Sequence, residues 1–400
     1  MNRFSLADFP VKYKRVLLRV DYNLPLTENN KVNDNTKIKA SLPTIKYLLQ
    51  QNCKIIIATH LGRPDGKIVP ALRTDPLAEE LQQLLPNVSI TKLNDCIGKE
   101  IKQRILQANP KDIFVLENLR FYKEEEKDTL AFAHSLADLA EVYVNDAFAV
   151  SHRKQASVHA ITRFIPSLAG ILVEKEIMYL NKALNPQRPA VWIMGGAKLN
   201  KIEFMNNALD KADKILVGGA LAFAFLKAQK IPIGMSKTDH DSVTTAAKLL
   251  HLKNRGKIIL PVDFMVAESI SSTAKATAVR YNQLQMNQIG LDLGPETIAL
   301  FKQHLRPAQT IVWNGPLGYF ELAPFSTATK EIGRFIGKLA ATTICGGGET
   351  VEAIHKFHLG HTMTHISTGG GATLAFLSGK KLPAITALEE NYRKFKNSFG

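Results

Sequence analysis

Gly346-Gly347-Gly348-Glu349-Thr350 stands between an apolar run, Thr342-Thr343-Ile344, and Val351-Glu352-Ala353-Ile354, which reads as the first turn of a helix. Glycines let backbone come close to a ligand, and the free N–H groups of a helix start attract phosphate. There Glu349 could serve a divalent cation and Thr350 could hydrogen-bond a phosphate oxygen. Both could equally be ordinary first-turn residues behind a tight turn. Other runs in the same half stop in the same way, at Gly195-Gly196-Ala197-Lys198, Gly218-Gly219, Asn314-Gly315-Pro316 and Ser367-Thr368-Gly369-Gly370-Gly371. Lys198 and Lys201 lie three apart, on one face of any helix that starts there, so both could reach the same phosphate. Taken together, these features favour phosphate binding over a set of unrelated turns. The first half ends its runs in charge instead: Asp21 and Asn23, His60 and Arg63, Asn118 and Arg120, and Asp146, with Arg153 beyond. Arginine forks bind carboxylate and phosphate bidentately, so several in one cleft suit a small phosphorylated acid. Any single one is more often a surface ion pair. Asp21 and Asn23 could orient a hydroxyl or carboxyl group.

These residues are carried at the ends of strand-length apolar runs. Continuous Val/Ile/Leu runs mark buried parallel strands, here at 15–20, 54–58, 113–116 and 142–144. Six more follow, at 191–194, 215–217, 258–260, 311–313, 342–344 and 365–368. Between them Ile45-Leu48-Leu49, Leu77-Leu81-Leu84-Leu85 and Ala222-Phe225-Leu226 put apolar side chains on one helix face. Alternation of this kind predicts α/β architecture with mostly parallel, doubly wound sheets. Residues 173–184 read as a charged amphipathic helix, stopped by Asn185-Pro186-Gln187-Arg188-Pro189. Ten strands are near the limit for one open sheet. We therefore expect two lobes: 1–172, a hinge helix and linker over 173–189, and 190–385. Ligands of such sheets sit outside the carboxyl ends of the strands. Bare backbone in one half and cations in the other then describe a two-substrate enzyme, with a nucleotide on one side and a small anion on the other.

Hydrophobic residues at 45% and charged residues at 22% are ordinary globular values. No apolar stretch approaches the length of a membrane span, and residues 1–10 lack the pattern of a secretory signal. Three distant cysteines form neither a disulfide framework nor a metal knuckle, so the expected location is the cytoplasm. The net charge of +15 is spread thinly and has no interleaved aromatics, which argues against nucleic acid and for a basic surface that attracts anionic substrates. There is no Walker loop, no Gly-x-Gly-x-x-Gly after a strand, no Gly-x-Ser-x-Gly and no His-Glu-x-x-His, so nothing specific supports a hydrolase, a zinc enzyme or a dehydrogenase.

Nine motifs, in order along nearly the whole chain, resemble the phosphoglycerate kinase pattern. They are Arg19-Val20-Asp21-Tyr22-Asn23-Leu24-Pro25, His60-Leu61-Gly62-Arg63-Pro64, Leu116-Glu117-Asn118-Leu119-Arg120-Phe121, Asn145-Asp146-Ala147-Phe148, Gly195-Gly196-Ala197-Lys198, Leu291-Asp292-Leu293-Gly294-Pro295, Val312-Trp313-Asn314-Gly315-Pro316, Gly346-Gly347-Gly348 and Ser367-Thr368-Gly369-Gly370-Gly371-Ala372. The resemblance implies two Rossmann-like domains joined by a hinge helix, in a monomer that closes by hinge bending. It implies reversible in-line phosphoryl transfer from 1,3-bisphosphoglycerate to MgADP, giving 3-phosphoglycerate and MgATP. By the same resemblance, Asp21, Tyr22, Asn23, Lys37, His60, Leu61, Gly62, Arg63, Arg120 and Arg153 would hold the glycerate. Gly196, Lys198, Lys201, Gly218, Gly219, Gly290, Asn314, Pro316, Glu321, Gly347, Gly348, Glu349 and Thr350 would hold the nucleotide, with Glu321 at the ribose and Glu349 at Mg²⁺. Lys37 and Lys198 would be catalytic, and residues 386–400 would return to the N-terminal lobe. Three departures stand out. Lys37 replaces an arginine and so keeps the charge but loses the fork. Lys201 follows Lys198 by three residues rather than four, a shift of about 100° around a helix. Glu349 replaces an aspartate, which changes its reach toward a metal that demands good geometry. A kinase for a different acid, or a weakly catalytic binding module, remain alternatives.

Overall fold

The structure, a computed structural model, describes residues 3–197, 204–252 and 255–396. The chain divides into two compact units, Met1–Ile177 with Lys381–Gly400 and Met178–Lys380. In the first unit seven strands make one sheet: β1 (Phe4–Ser5), β2 (Arg15–Arg19), β3 (Lys54–Ala58), β4 (Ile90–Lys92), β5 (Ile113–Val115), β6 (Val142–Asn145) and β7 (Ser167–Ala169). Every pairing is parallel, in the order β1-β7-β6-β2-β3-β5-β4. The predicted runs become β2, β3, β5 and β6. They are continuously apolar because both faces are covered: Val16, Leu17, Leu18 and Ile55 through Ile57 are fully buried. Helix Thr36–Gln50 contributes Ile38, Ile45 and Leu48 to this core, and helix Asp75–Leu84 contributes Leu77 and Leu81. Strands β1, β4 and β7 were not anticipated. Their sequences, Phe4-Ser5, Ile90-Thr91-Lys92 and Ser167-Leu168-Ala169, mix polar with apolar residues and leave no continuous Val/Ile/Leu run.

The second unit holds β8 (Ala190–Met194), β9 (Lys214–Val217), β10 (Ile258–Ile259), β11 (Asp263–Ala267), β12 (Thr277–Arg280), β13 (Ile289–Leu293), β14 (Thr310–Asn314), β15 (Thr342–Gly346) and β16 (His365–Ile366). The six predicted runs of this half form one parallel sheet, β10-β9-β8-β14-β15-β16. A separate antiparallel sheet, β12-β11-β13, has a bulge between Met265 and Val266 and was not foreseen. In each parallel sheet the direction of travel reverses once, between β2 and β6 and between β8 and β14. Such switch points are where open α/β sheets bind ligands.

Helix Ile171–Leu184 contains the boundary between the units and starts two residues before the predicted 173. Its early start has a cause in unit 1: Asp146 Oδ1 accepts from Leu172 N at 2.9 Å, and Thr44 Oγ1 from Ile171 N at 3.0 Å. These acceptors satisfy orphan N–H groups of the first turn. Among the described residues no helix is long and apolar enough to cross a membrane.

Candidate active site

At the end of β2 the fully buried Arg19 donates from Nε to Ser157 Oγ at 2.8 Å and from Nη1 to the carbonyl of Val20, and its Nη2 meets His60 Nδ1 at 3.2 Å. Behind it, Ser157 Oγ donates to Glu125 Oε1 at 2.6 Å, which places a buried carboxylate 4.0 Å from the guanidinium. A guanidinium can only donate, so Nδ1 of His60 accepts and the ring proton sits on Nε2. Burial holds the His60 pKa well below its usual value, and Arg19, Arg120, Lys37 and Arg153 depress it further. His60 is therefore a neutral donor in the field of four cations.

The remaining members of the cluster interlock. Lys37, in the first turn of its helix, bonds Asp21 Oδ2 at 2.8 Å and the Asn23 carbonyl at 3.1 Å. Asn23 Oδ1 accepts from Gly62 N at 2.9 Å, and Arg120 Nη1 donates to Gly62 O at 2.8 Å. Arg120 is 3% exposed, and its Nη2 is buried with no hydrogen-bond partner among the described residues. The Glu126 carboxylate stands 3.3 Å from its Nε, and an open buried Nη2 leaves a donor that a second anion would satisfy. Arg153 is half-buried against His152, and Arg63 is exposed on the loop after β3. The Tyr22 and Leu61 side chains belong to the core. Tyr22 OH shares a 2.6 Å bond with Ser41 and its N–H donates to Thr59 Oγ1 at 3.0 Å, while the Asn118 amide pins Leu61 N and O, so both residues brace the strand ends. Asp146 also turns inward, and burial pushes its pKa up to about 7.

The glycine turns of the second unit divide into two kinds. Gly195 N donates to Asn314 O, Gly196 N to Pro316 O, Gly219 N to Leu317 O and Ala220 N to Gly196 O, at 2.7–3.1 Å. A Cβ on Gly195 would overlap Pro316 O, and one on Gly315 would overlap Gly195 O. These glycines let loops stack backbone on backbone at the switch point, and their N–H groups are used in doing so. That corrects the expectation that each glycine-ended run offers bare backbone to a ligand. The turn after β15 differs. Gly347 has φ +92°, a Cβ on Gly348 would meet open space, and helix Gly348–Lys356 has no side-chain cap. Its first-turn N–H groups suit an anion. Thr350 is buried and its hydroxyl accepts from Gly315 N at 2.6 Å, so its side chain braces the turn while its backbone N–H belongs to the first turn. Asn314 Nδ2 braces the same turn from Gly346 O at 3.0 Å, and Gly218 is packed under Leu317.

Beside this turn lies a pocket of about 400 Å³, within the range of small-molecule sites. Gly196, Gly219, Gly290, Pro316, Glu321 and Glu349, all expected from sequence, line it. So do Phe223, Lys237, Ile270 and Tyr319, which were missed. A side chain on Gly290 would strike the Phe223 ring, which packs against Phe264 at a tilt of 31° with centroids 4.7 Å apart. The outcome is an apolar slot with charges at its rim, suited to a flat heteroaromatic ring. Phe264, Ile289 and Gly290 come from the unforeseen antiparallel sheet, so no local pattern could have united them with Phe223. Lys198 and Lys201 lie outside the described residues. Among those described, no group of three or more His, Cys, Asp or Glu could hold a metal.

Comparison with known proteins matches residues 6–380 to the family described as phosphoglycerate kinase. The phosphoglycerate kinase of Moorella thermoacetica is 44% identical over 98% of this chain and 100% of its own length, and that of Aquifex aeolicus is 43% identical over 98% and 99%. Among solved structures, the phosphoglycerate kinase of Coxiella burnetii superposes with a TM-score of 0.88 at 36% identity, covering 97% of this chain and 99% of that one. The Pyrococcus horikoshii enzyme gives 0.85 at 32%, covering 98% and 100%.

Proposed function

The chain belongs to the phosphoglycerate kinase family, and from that premise we propose which of its atoms carry the reaction. It is a phosphotransferase acting on 3-phosphoglycerate, and relatives matching over its full length favour neither a different acid nor a binding module. The observation that carries the site assignment is His60, neutral and surrounded by four cations, beside the open buried donor of Arg120. That arrangement fits a small dianionic phosphate ester with a carboxylate. Asp21 and Asn23 hold Lys37 and Gly62 in place, Arg63 and Arg153 add charge at the rim, and Tyr22 and Leu61 brace the segments that carry them. The pocket of the second unit takes the nucleotide: its base in the Phe223 slot, its ribose at Glu321, its phosphates at the first turn Gly347–Thr350 and at Lys198 and Lys201. Mg²⁺ enters as part of MgATP or MgADP, with Glu349 as its protein neighbour.

The transfer runs in line between a carboxylate oxygen of 3-phosphoglycerate and the terminal phosphate, with no covalent enzyme intermediate. The acyl phosphate is already activated, so the protein positions the reactants and offsets charge on the equatorial oxygens through Lys37, Lys198 and the helix start. His60→Ala tests this division of labour in steady-state assays. We expect the KM for 3-phosphoglycerate to rise roughly tenfold, the effect of about one hydrogen bond to a charged group, with the KM for MgATP unchanged. A rise confined to MgATP would overturn the assignment of the two sites.

A further inference from the structure

Helix Gly348–Lys356 carries the candidate phosphate cradle at one end and a lysine at the other. Lys356 Nζ donates to the carbonyl oxygens of Phe320 at 3.1 Å and Glu321 at 2.9 Å, and lies 5.8 Å from the centroid of the Phe320 ring. Those carbonyls belong to the turn that brings Gly318, Tyr319 and Glu321 to the pocket. Upstream, the turn is tied by Tyr319 N to Leu291 O at 2.7 Å and by Gly318 N to Thr329 Oγ1 at 3.3 Å, and Gly318 lies directly against Asp292. Lys356 holds its downstream end. An α-helix rises 1.5 Å per residue, so nine residues make a strut of roughly 12 Å between first and last Cα. One rigid element thus touches the phosphate end of the ligand with its N-terminus and the ribose turn with its C-terminus.

We propose that Lys356 is a positioning residue for the nucleotide, which sets the distance between Glu321 and the phosphate-binding first turn. The proposal rests on reading this pocket as the nucleotide site. The simpler role for such a lysine is to offset the negative end of the helix dipole; that role predicts a change in helix stability but nothing specific to the ribose.

The test is a double-mutant cycle on the full chain with Lys356→Met, Glu321→Ala and both together, with Lys356→Arg as the conservative variant. Calorimetric titration with MgADP gives affinity, and steady-state assays give kcat and both KM values. With two charge-assisted bonds at a solvent-accessible position, we expect K356M to weaken MgADP roughly threefold to tenfold. The KM for 3-phosphoglycerate and kcat at saturating MgATP should stay within about twofold, K356R should restore affinity, and K356M should cost little more once Glu321 is Ala. Unchanged MgADP affinity in K356M, or effects of K356M and E321A that simply add, would overturn the positioning role. If E321A alone leaves affinity unchanged, the assignment of this pocket to the ribose fails first, and the proposal with it.

Discussion

At the scale of single residues, charge decides where each side chain can work. His60 and Asp146 both follow β-strands of the first sheet, yet only His60 faces the cation cluster. Asp146 instead caps the helix that joins the units, and burial raises its pKa from the ordinary carboxylate range to about 7. Between about pH 4, its unfolded value, and pH 7 the folded chain binds a proton that the unfolded chain has released. The group's contribution is therefore complete below about pH 4 and is lost as pH rises through 7. Asp146→Asn cannot ionise and still offers an oxygen to Leu172 N. Its stability by chemical denaturation should gain on the native chain between pH 5 and pH 8 by at most about 3 kcal/mol, since two pH units separate 5 from the native pKa of about 7; a difference that does not vary with pH would contradict this. In the sequence the two residues looked alike, as strand-end charges. What separates them is the neighbour each buried side chain meets, Arg19 for His60 and the first turn of helix Ile171–Leu184 for Asp146, and neither neighbour is local in sequence. Arg19 was passed over for a similar reason: it stands inside a quoted motif, and nothing local indicates that its guanidinium fixes the His60 tautomer.

At the scale of elements, periodicity was readable wherever strands are covered on both faces. The six apolar runs of the second half became the six parallel strands, with β8, β14 and most of β9 and β15 buried and the edge strands β10 and β16 half-buried. The antiparallel sheet left no such trace: β12 is largely exposed, and β11 and β13 meet across a bulge. The glycines were legible as special positions but not as to purpose, since a ligand and a neighbouring loop both require the absence of a Cβ. The two purposes can be told apart experimentally. Gly195→Ala forces a methyl into the Pro316 carbonyl and should cost about 1–3 kcal/mol of stability by overpacking. Gly348→Ala meets open space and should change the melting temperature little. Equal losses in the two variants would mean that the loop stacking has been misread.

At the scale of the whole molecule, the first unit is closed by both ends of the chain. Helix Pro383–Phe395 seals it: Asn391 accepts from Ser167 N at 2.9 Å and donates to Thr162 O and Ile165 O at 2.5 and 2.9 Å, and Tyr392 lies 4.8 Å from Phe4. Asn391→Ala removes the partner of Ser167 N and of Thr162 O, while Ile165 O keeps Ser167 Oγ, and should cost about 2 kcal/mol or more, measured by chemical denaturation; a loss under about 0.5 kcal/mol would show that this helix does not hold the unit together. Motif order made the family legible over nearly the full length, while Lys37 and Glu349 mark where this chain differs from the family's pattern. In the structure Lys37 bonds Asp21 and the Asn23 carbonyl, and Glu349 lines the pocket of the second unit. The most direct test is the turnover of the native chain with 3-phosphoglycerate and MgATP, coupled to reduction of the bisphosphate product. The account predicts saturation in both substrates and a kcat in the usual kinase range of about 1–100 per second. Calorimetric binding of both ligands without transfer between them would contradict it.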